Sequence, residues 1–463
     1  MTRMPPMAAP ELTFKPDDTI TEVRTYDVIT PLFGGGVEPA QADPISVVRA
    51  SEVRGQLRFW WRATRGGQFG GDLQAMRNAE LALWGGAARF ENGQPVTGQS
   101  LVQVVVEPIA RGYPVTTFPG SNGRTPHIGD PGSLLSYGAF PLRETGGQQG
   151  QRRQGAQRSV LVGVSFQLMI SFPAERDAEV QSALWAWESF GGLGARTRRG
   201  FGALKLIQRL RNGATADRNV PRSDKPKDLG DWYAGSARAH IIGSDWHPDI
   251  PHLSPDHSPV MKALPDGFNV GREDFEKWME AALIHNRVPR REAQELLPAL
   301  VAWYYPIFKL QQFRQSRRRN NNSRFGRSYW PEPDEIRQRT TGFNGRHSDR
   351  LTGAPKFPRA VFGLPIVFKF KDEAIDPPQT ILQGARHDRL SSRLVLRPIA
   401  CANGSYVAAA VVLAGPDIPP GGLRLEGARV PDGISTDPLT TSEANFRPLN
   451  GNTDVIAAYL DTL

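Results

Sequence analysis

Apolar and polar residues alternate most strictly over Ser159–Ser171, where Val160, Val162, Val164, Phe166, Leu168 and Ile170 take every second position. A period of two places all six on one face of a sheet, so the stretch predicts a strand. Thr19–Ile29 (TITEVRTYDVI), rich in β-branched residues, predicts an earlier strand, and the valine run of Leu101–Ile109 another. Helical spacing governs the segments between. In Ser51–Arg65 (SEVRGQLRFWWRATR) Val53, Leu57, Trp60, Trp61 and Thr64 share one side, which assigns both tryptophans mainly to a core. In Glu175–Phe190 the stripe is Val180, Leu184 and Trp187, and Asp72–Trp84 is a further helix stopped by Gly85-Gly86. Phe201–Leu210 predicts the next strand. The order strand, helix, strand, strand, helix, strand, with one added helix, is that of the split βαβ, ferredoxin-like fold.

The second half is less regular. Arg211–Gly230 is polar and proline-bearing, and reads as a linker. Trp232–Ile242 predicts a strand, Asp245–Pro265 a proline-rich loop, and Arg272–Asn286 and Arg290–Tyr304 helices, the latter kinked or split at Pro298. Val361–Lys369 and Arg393–Val412 supply strands and Asn452–Leu463 a terminal helix. The expected fold class is therefore α+β: a ferredoxin-like, RRM-like first domain and a second α+β domain, with long loop insertions. A flexible tail would span residues 1–18, the first domain 19–211, a linker 212–230, and the second domain, with helical insertions, 231–463.

Composition narrows the class. The chain has 463 residues, 39% hydrophobic and 22% charged, as in a soluble globular protein. Its 47 glycines and 39 prolines predict long loops, most of all in the Gly/Pro/Gln/Arg stretch 118–158. One cysteine, Cys401, excludes an intramolecular disulfide and a cysteine-built zinc site; its apolar, β-like surroundings make it a core thiol. The longest purely apolar run, Tyr406–Ala414, is far short of the ~20 residues of a membrane span. The first eighteen residues carry prolines and acids where a signal peptide has an apolar core, so the expected location is cytoplasmic.

Net charge is +9 and arginine-heavy, which favours an acidic partner. The excess is concentrated in three places. Glu188–Leu204 (ESFGGLGARTRRGFGAL) holds five glycines within the twelve residues 191–202, with Arg196, Arg198 and Arg199 unopposed by acids. Gly191, Gly192, Gly194 and Gly200 let the backbone approach a partner closely, and its N–H groups with the three arginines suit phosphates. Arg54, Arg58, Arg62 and Arg65, spaced 4, 4 and 3, form a stripe down one side of a helix whose one acid is Glu52. Such a stripe expects acids or phosphates opposite it, on RNA or a neighbouring subunit. Phe313–Arg327 (FRQSRRRNNNSRFGR) interleaves Arg317, Arg318, Arg319, Arg324 and Arg327 with aromatic neighbours, a pattern for tracking a single strand. Each would also read as a solvated face or loop.

Catalytic patterns are few. No phosphate-binding loop ending in Lys-Ser/Thr, no GxSxG and no HExxH is present. His247, Asp249, His252, Asp256 and His257 are metal-ligand types, but they fall in a proline-rich loop without regular spacing. Asp43, in the loop after the first strand, is the one acid placed near the basic features. A structural carboxylate is the simpler account of it.

Three stretches together carry a family resemblance: ITPLFGGG (Ile29–Gly36), VVRASEVRGQLRFWWRA (Val47–Ala63) and FGGLGARTRRGFG (Phe190–Gly202). They resemble the RAMP superfamily, and within it the first-subunit family of the Cmr complexes, the type III-B CRISPR RNA-guided effectors. RSYWPEPDEIR (Arg327–Arg337) and FGLPIVFKF (Phe362–Phe370) are similar to the same family. The resemblance implies two ferredoxin-like, RRM-like RAMP domains with long loop insertions, and a non-catalytic subunit in antiviral defence. It also implies guide RNA near its 3′ part, target RNA and other RAMP subunits as partners. No cofactor is implied. A guide-processing endoribonuclease of the superfamily and a scaffold making only protein contacts remain the alternatives.

Overall fold

The structure is a computed structural model that describes residues 18–36, 42–43, 45–86, 89–91, 94–96, 98–116, 138, 159–254, 258–264, 272–319, 325–339, 354–370, 377–427 and 433–463. Residues 1–17 of the expected tail, nearly all of 118–158, Asp256, His257 and Arg324 lie outside them.

In the first half β1 (Thr19–Val28) leads through α1 (Ala50–Arg65) and α2 (Leu73–Trp84) to β2 (Gln103–Thr116). Then come β3 (Ser159–Pro173), α3 (Asp177–Phe190) and β4 (Leu204–Arg211). The sheet is antiparallel in the order β2-β3-β1-β4, with the short strand Ala214–Thr215 beyond β4. First and third strands in the centre define the ferredoxin-like arrangement that the sequence order predicts. The alternation over β3 is realised in space: Val160 to Ile170 are all buried. α1 and α3 lie side by side over that face, bringing Val53, Leu57, Trp60, Trp61, Val180, Leu184 and Trp187 into one core.

The second half contains α4 (Pro226–His240), β5 (Val260–Ala263), α5 (Arg272–His285) and α6 (Arg290–Arg314). After them follow β6 (Arg317–Arg319), β7 (Phe325–Ser328), β8 (Leu394–Ala400), β9 (Tyr406–Val412) and α7 (Val455–Leu460). Strands β8-β9-β5 form an antiparallel sheet that repeats three of the four ferredoxin-like strands. A separate sheet joins Ile366–Phe368, Thr380–Gly384 and Leu423–Glu426. The two halves share their cores. Leu229, Tyr233, Trp246, Val395, Ile399 and Val407 join the core under α1 and α3, while Phe33, Val115, Val160, Val162 and Phe201 join the core around α5 and α6.

Four expectations are corrected. The stretch expected as a strand over Trp232–Ile242 belongs to helix α4, which starts on Pro226 and buries Leu229, Tyr233 and Ala237 at helical spacing. α6 is not split at Pro298: it runs 25 residues through Pro298 and Pro306. Its buried Leu300, Val301, Trp303, Tyr304 and Ile307 offset the ~3 kcal/mol that each internal proline costs. The last strand of the first half starts at Leu204 because Phe201 and Gly202 form a turn. The final residues of the expected linker are the first turn of α4, and in the segment before it the Pro221 and Arg222 carbonyls accept from Ala402 and Asn403 N–H.

Candidate nucleic-acid interface

Helix α1 forms because its apolar positions recur at three and four residues, and that spacing leaves its arginines on the opposite side. Arg58 and Arg62 there meet an acid on α2. Glu80, only 5% exposed, accepts from Arg58 Nε at 2.6 Å and from Arg62 Nη1 with the same oxygen, Oε1. Arg58 also reaches the Gly85 carbonyl at 3.4 Å. Arg54, one turn earlier, is half-buried, and its Nε has no hydrogen-bond partner among the described residues. Arg65 is buried, and loss of solvation holds its pKa below the usual guanidinium value. One acid facing two arginines is what the like-charge spacing called for, and the sequence reading had not located it.

The glycine–arginine loop turns inward. Gly191, Gly192 and Gly200 are buried, and a Cβ on Gly200 would lie 2.5 Å from Trp303 Cδ1 and 2.6 Å from the Leu396 carbonyl. The Gly191 N–H bonds the Trp187 carbonyl at 2.8 Å, and Gly200 N–H that of Thr197 at 2.9 Å. Gly194 N–H donates to the Glu52 carboxylate. The anion in this glycine loop is therefore the protein's own: Glu52 is largely buried, and burial raises its pKa.

The loop arginines bind protein carbonyls. Arg199 donates from Nη2 to Phe362 O at 2.7 Å and from Nη1 to Leu394 O at 3.0 Å. Arg198 donates to Ser392 O and lies 5.6 Å from the Phe59 ring centroid; burial and then Arg199 lower its pKa to about 10. Arg196, half-buried, has left-handed backbone at φ 65°. From the other side Arg397, 1% exposed, donates to the carbonyls of Gly191 at 2.6 Å and Leu204 at 2.9 Å, and burial lowers its pKa to about 9. The cations of this loop thus join the two halves of the chain. Hydrogen bonds from charged donors contribute about 1.5–3 kcal/mol each.

The basic segment is in part a two-stranded ribbon: β6 pairs with β7, Arg319 opposite Phe325 and Arg317 opposite Ser328. Arg317 is exposed, Arg318 lies between the two in β6, and Arg327 belongs to β7. At the ribbon's base Phe313 packs on Phe362, whose carbonyl takes Arg199. α1 and the glycine–arginine loop are also neighbours, through Glu52–Gly194 and Arg198–Phe59. All three basic features therefore belong to one connected region.

The described candidate catalytic groups take part in the hydrogen bonding and packing of their own loops. Asp43 Oδ1 accepts Ile45 N–H at 2.9 Å and Ser46 N–H at 2.7 Å, bonds that close a turn and lower its pKa, the Ser46 amide first. The histidine loop covers the C-terminal end of α1. Trp246 Nε1 donates to Arg62 O at 3.2 Å, Leu253 N–H to Ala63 O at 2.9 Å and Ile242 N–H to Thr64 O at 2.9 Å, while His252 stacks on Trp246. Among the described residues no group of three His, Cys, Asp or Glu side chains is placed to hold a metal ion. Cys401 is buried. No helix among these residues is long and apolar enough to cross a membrane.

This framework of strands, glycine loop and arginine helix is also recognised as a whole. Residues 25–205 match the family model of the RAMP superfamily. The resemblance read from Ile29–Gly36, Val47–Ala63 and Phe190–Gly202 is borne out over that span. The Cmr subunit Cmr1-1 of Pyrococcus furiosus is 25% identical over 164 residues, covering 35% of this chain and 41% of that protein. Cmr1-2 of the same organism is 26% identical over 195 residues, covering 40% of this chain and 94% of that protein. The chain thus spans less than half the length of the first of these relatives. A chain of the type III-B Cmr-beta complex bound to cognate target RNA is similar in fold at 11% identity, with a TM-score of 0.44, covering 96% of this chain and 100% of that chain.

Within the RAMP segment, sequence reasoning missed a buried charge network. Glu22 and Arg24 of β1 point under α3, where Arg24 donates to Glu22 at 2.8 Å, Glu188 at 2.7 Å and Gln181 at 2.7 Å. Arg209 and Arg211 of β4 complete the network around Glu22 and Asp177. The signal was readable: Ile20, Glu22, Arg24, Tyr26 and Val28 share a period-two face, so two charges stand on the core side of a strand. Glu80 carried a similar signal, standing in the Met76, Leu83, Trp84 stripe of α2.

Proposed function

We propose that the chain is a non-catalytic, RNA-binding structural subunit of a type III-B CRISPR (Cmr) effector ribonucleoprotein, working in the cytoplasm beside other RAMP subunits. Its ligand is the 3′ part of the guide RNA, the guide–target duplex, or both. The observation that carries this reading is the RAMP match over the segment that bears the arginine helix and glycine loop, with Cmr subunits as its relatives. The side chains we assign to RNA are Arg54, Arg58 and Arg62 on α1, Arg196 beside it, and Arg317, Arg318, Arg319, Arg324 and Arg327 on the basic segment. Contact with phosphates gives affinity without sequence preference, and sequence is left to base pairing.

To Arg198, Arg199, Gly191, Gly192, Gly194 and Gly200 we assign a positional role, since they hold the loop against α1 and the second half. Titration of labelled single-stranded RNA with the full chain tests the reading. Replacing Arg54, Arg58 and Arg62 by alanine should weaken binding equally for unrelated sequences and reduce the log–log salt slope by about 0.7 per lost phosphate contact. Unchanged affinity and slope would remove α1 from the RNA surface and favour a scaffold. The endoribonuclease alternative predicts cleavage of repeat RNA that Asp43→Asn abolishes; the turn-closing bonds of Asp43 support no such role.

A further inference from the structure

Between α1 and α2 lies an open groove of about 560 Å³, lined by Arg58, Arg62, Arg77 and Glu80 over an aliphatic floor that includes Leu73 and Met76. Its construction is asymmetric. Glu80 is buried, and one oxygen of it, Oε1, draws in both Arg58 Nε and Arg62 Nη1, so the two guanidiniums are held side by side by a single carboxylate. Their side chains are still 31% and 28% exposed. Arg58 Nη2 and Arg62 Nε and Nη2 have no acceptor among the described residues, and neither has any nitrogen of Arg77, which stands exposed one turn before Glu80. The groove therefore carries three cations against one acid, with its unused donors clustered. Leu73, 42% exposed, puts an apolar surface beside them.

We propose that this groove is a single-nucleotide site. Arg58, Arg62 and Arg77 converge on one backbone phosphate, Leu73 and Met76 receive the apolar face of the attached ribose and base, and Glu80 is the positioning residue that aims the guanidiniums. The proposal rests on the RNA-binding reading above and deepens it. Three arguments favour a nucleotide. Planar guanidiniums with paired free N–H groups match phosphate oxygens bidentately. An aliphatic floor accepts any base without hydrogen-bond readout, as a sequence-independent subunit requires. The volume falls in the range of small-ligand sites. Glu80 also lowers the like-charge repulsion that four-residue spacing imposes on Arg58 and Arg62.

The experiment compares four full-length variants in anisotropy titrations of a labelled uridine 20-mer across a salt series, with a thermal melt for each. Arg77→Ala, at an exposed helix position, should leave the melt unchanged, weaken binding about two- to fivefold, and lower the salt slope by about 0.7. Glu80→Gln is the discriminating change, since it adds one positive charge to the groove. A purely electrostatic surface would bind RNA more tightly after it. A positioned phosphate site binds more weakly, by a similar factor, because both guanidiniums lose their anchor. Glu80→Asp, which shortens but keeps the carboxylate, should fall between Glu80→Gln and the native chain and controls for folding. Tighter or unchanged binding by a folded Glu80→Gln, or an unchanged slope for Arg77→Ala, overturns the proposal. If Arg58→Ala/Arg62→Ala weakens binding while those two do not, the RNA reading stands and the nucleotide site falls. If all four variants bind like the native chain, the RNA reading of α1 itself fails and the groove fits an acidic protein segment.

Discussion

Gly202 and Gly213 both sit at left-handed φ, +64° and +82°, yet they differ in what a side chain would meet. A Cβ on Gly202 would lie 2.0 Å from the Leu193 carbonyl oxygen; on Gly213 it would find nothing within 4 Å. Gly213→Ala should therefore cost only the left-handed strain, about 1–2 kcal/mol. Gly202→Ala must also push apart the two arms of the glycine loop, for a total of about 3–5 kcal/mol. Chemical denaturation of the two variants measures the difference, and equal losses would mean that the loop is loose enough to accommodate a methyl group. The same packing explains why the glycines did not reveal their role by composition. A glycine-rich stretch permits close approach, but whether the approaching partner is phosphate or protein backbone depends on residues far along the chain, here Trp303, Leu396 and Glu52.

Helix α3 covers two titrating groups of opposite kind, Glu22 and His240, and both make stability depend on pH. Glu22 beneath it is held at a pKa of about 2: burial pushes the value up, but hydrogen bonds and charge from Arg209 and Arg24 outweigh it. Its folded pKa is below its usual value, so its stabilisation is present above pH 4.5 and is lost as pH falls toward 2, about 3 kcal/mol in total. His240 of α4 stacks on Trp185 of α3, and burial followed by the charges of Arg65, Arg209 and Arg24 lowers its pKa to about 4. The unfolded chain takes up that proton first, so this stabilisation is complete above pH 6.5 and disappears between pH 6.5 and 4, again about 3 kcal/mol. Unfolding free energy should thus decline in two steps below neutrality. His240→Gln should flatten the upper step and leave the lower one, which urea titrations at pH 7, 5 and 3 will read. A single step below pH 4.5 would show that His240 is solvated.

At the scale of the whole chain, the halves are expected to unfold together. Arg397 supplies donors to the Gly191 and Leu204 carbonyls, and the loop from Ile242 to Leu253 covers the end of α1. A fragment ending before α4 would expose the core positions that Tyr233, Trp246, Val395 and Val407 fill, and would leave the Ala63 and Thr64 carbonyls of α1 without partners. Calorimetry of the full chain should give one cooperative transition, and the fragment should be insoluble or lack a transition. Two separate transitions would indicate that the shared core contributes little. The second half was harder to read for the same reason. α4 buries only Leu229, Tyr233, Ser236 and Ala237, a stripe too sparse to overrule the β-like run at its end, and α6 survives two prolines through contacts made elsewhere.

Periodicity in the sequence was sufficient for the first sheet and its helices, because a period of two or of 3.6 over ten or more residues states which side is buried before any partner is known. It also placed the arginines of α1 on one side, while short local motifs carried the resemblance to the RAMP superfamily. The tertiary structure alone decided where each charge goes. Glu80 and Glu52 reach the arginine helix and the glycine loop from 18 and 142 residues away, and Arg397 reaches Gly191 from 206. Local sequence does not encode such partners, since hydrogen bonds and ion pairs depend on distance in space. The stretch most suggestive of phosphate binding therefore became an internal joint, and the open cations are found on α1, α2 and the basic ribbon.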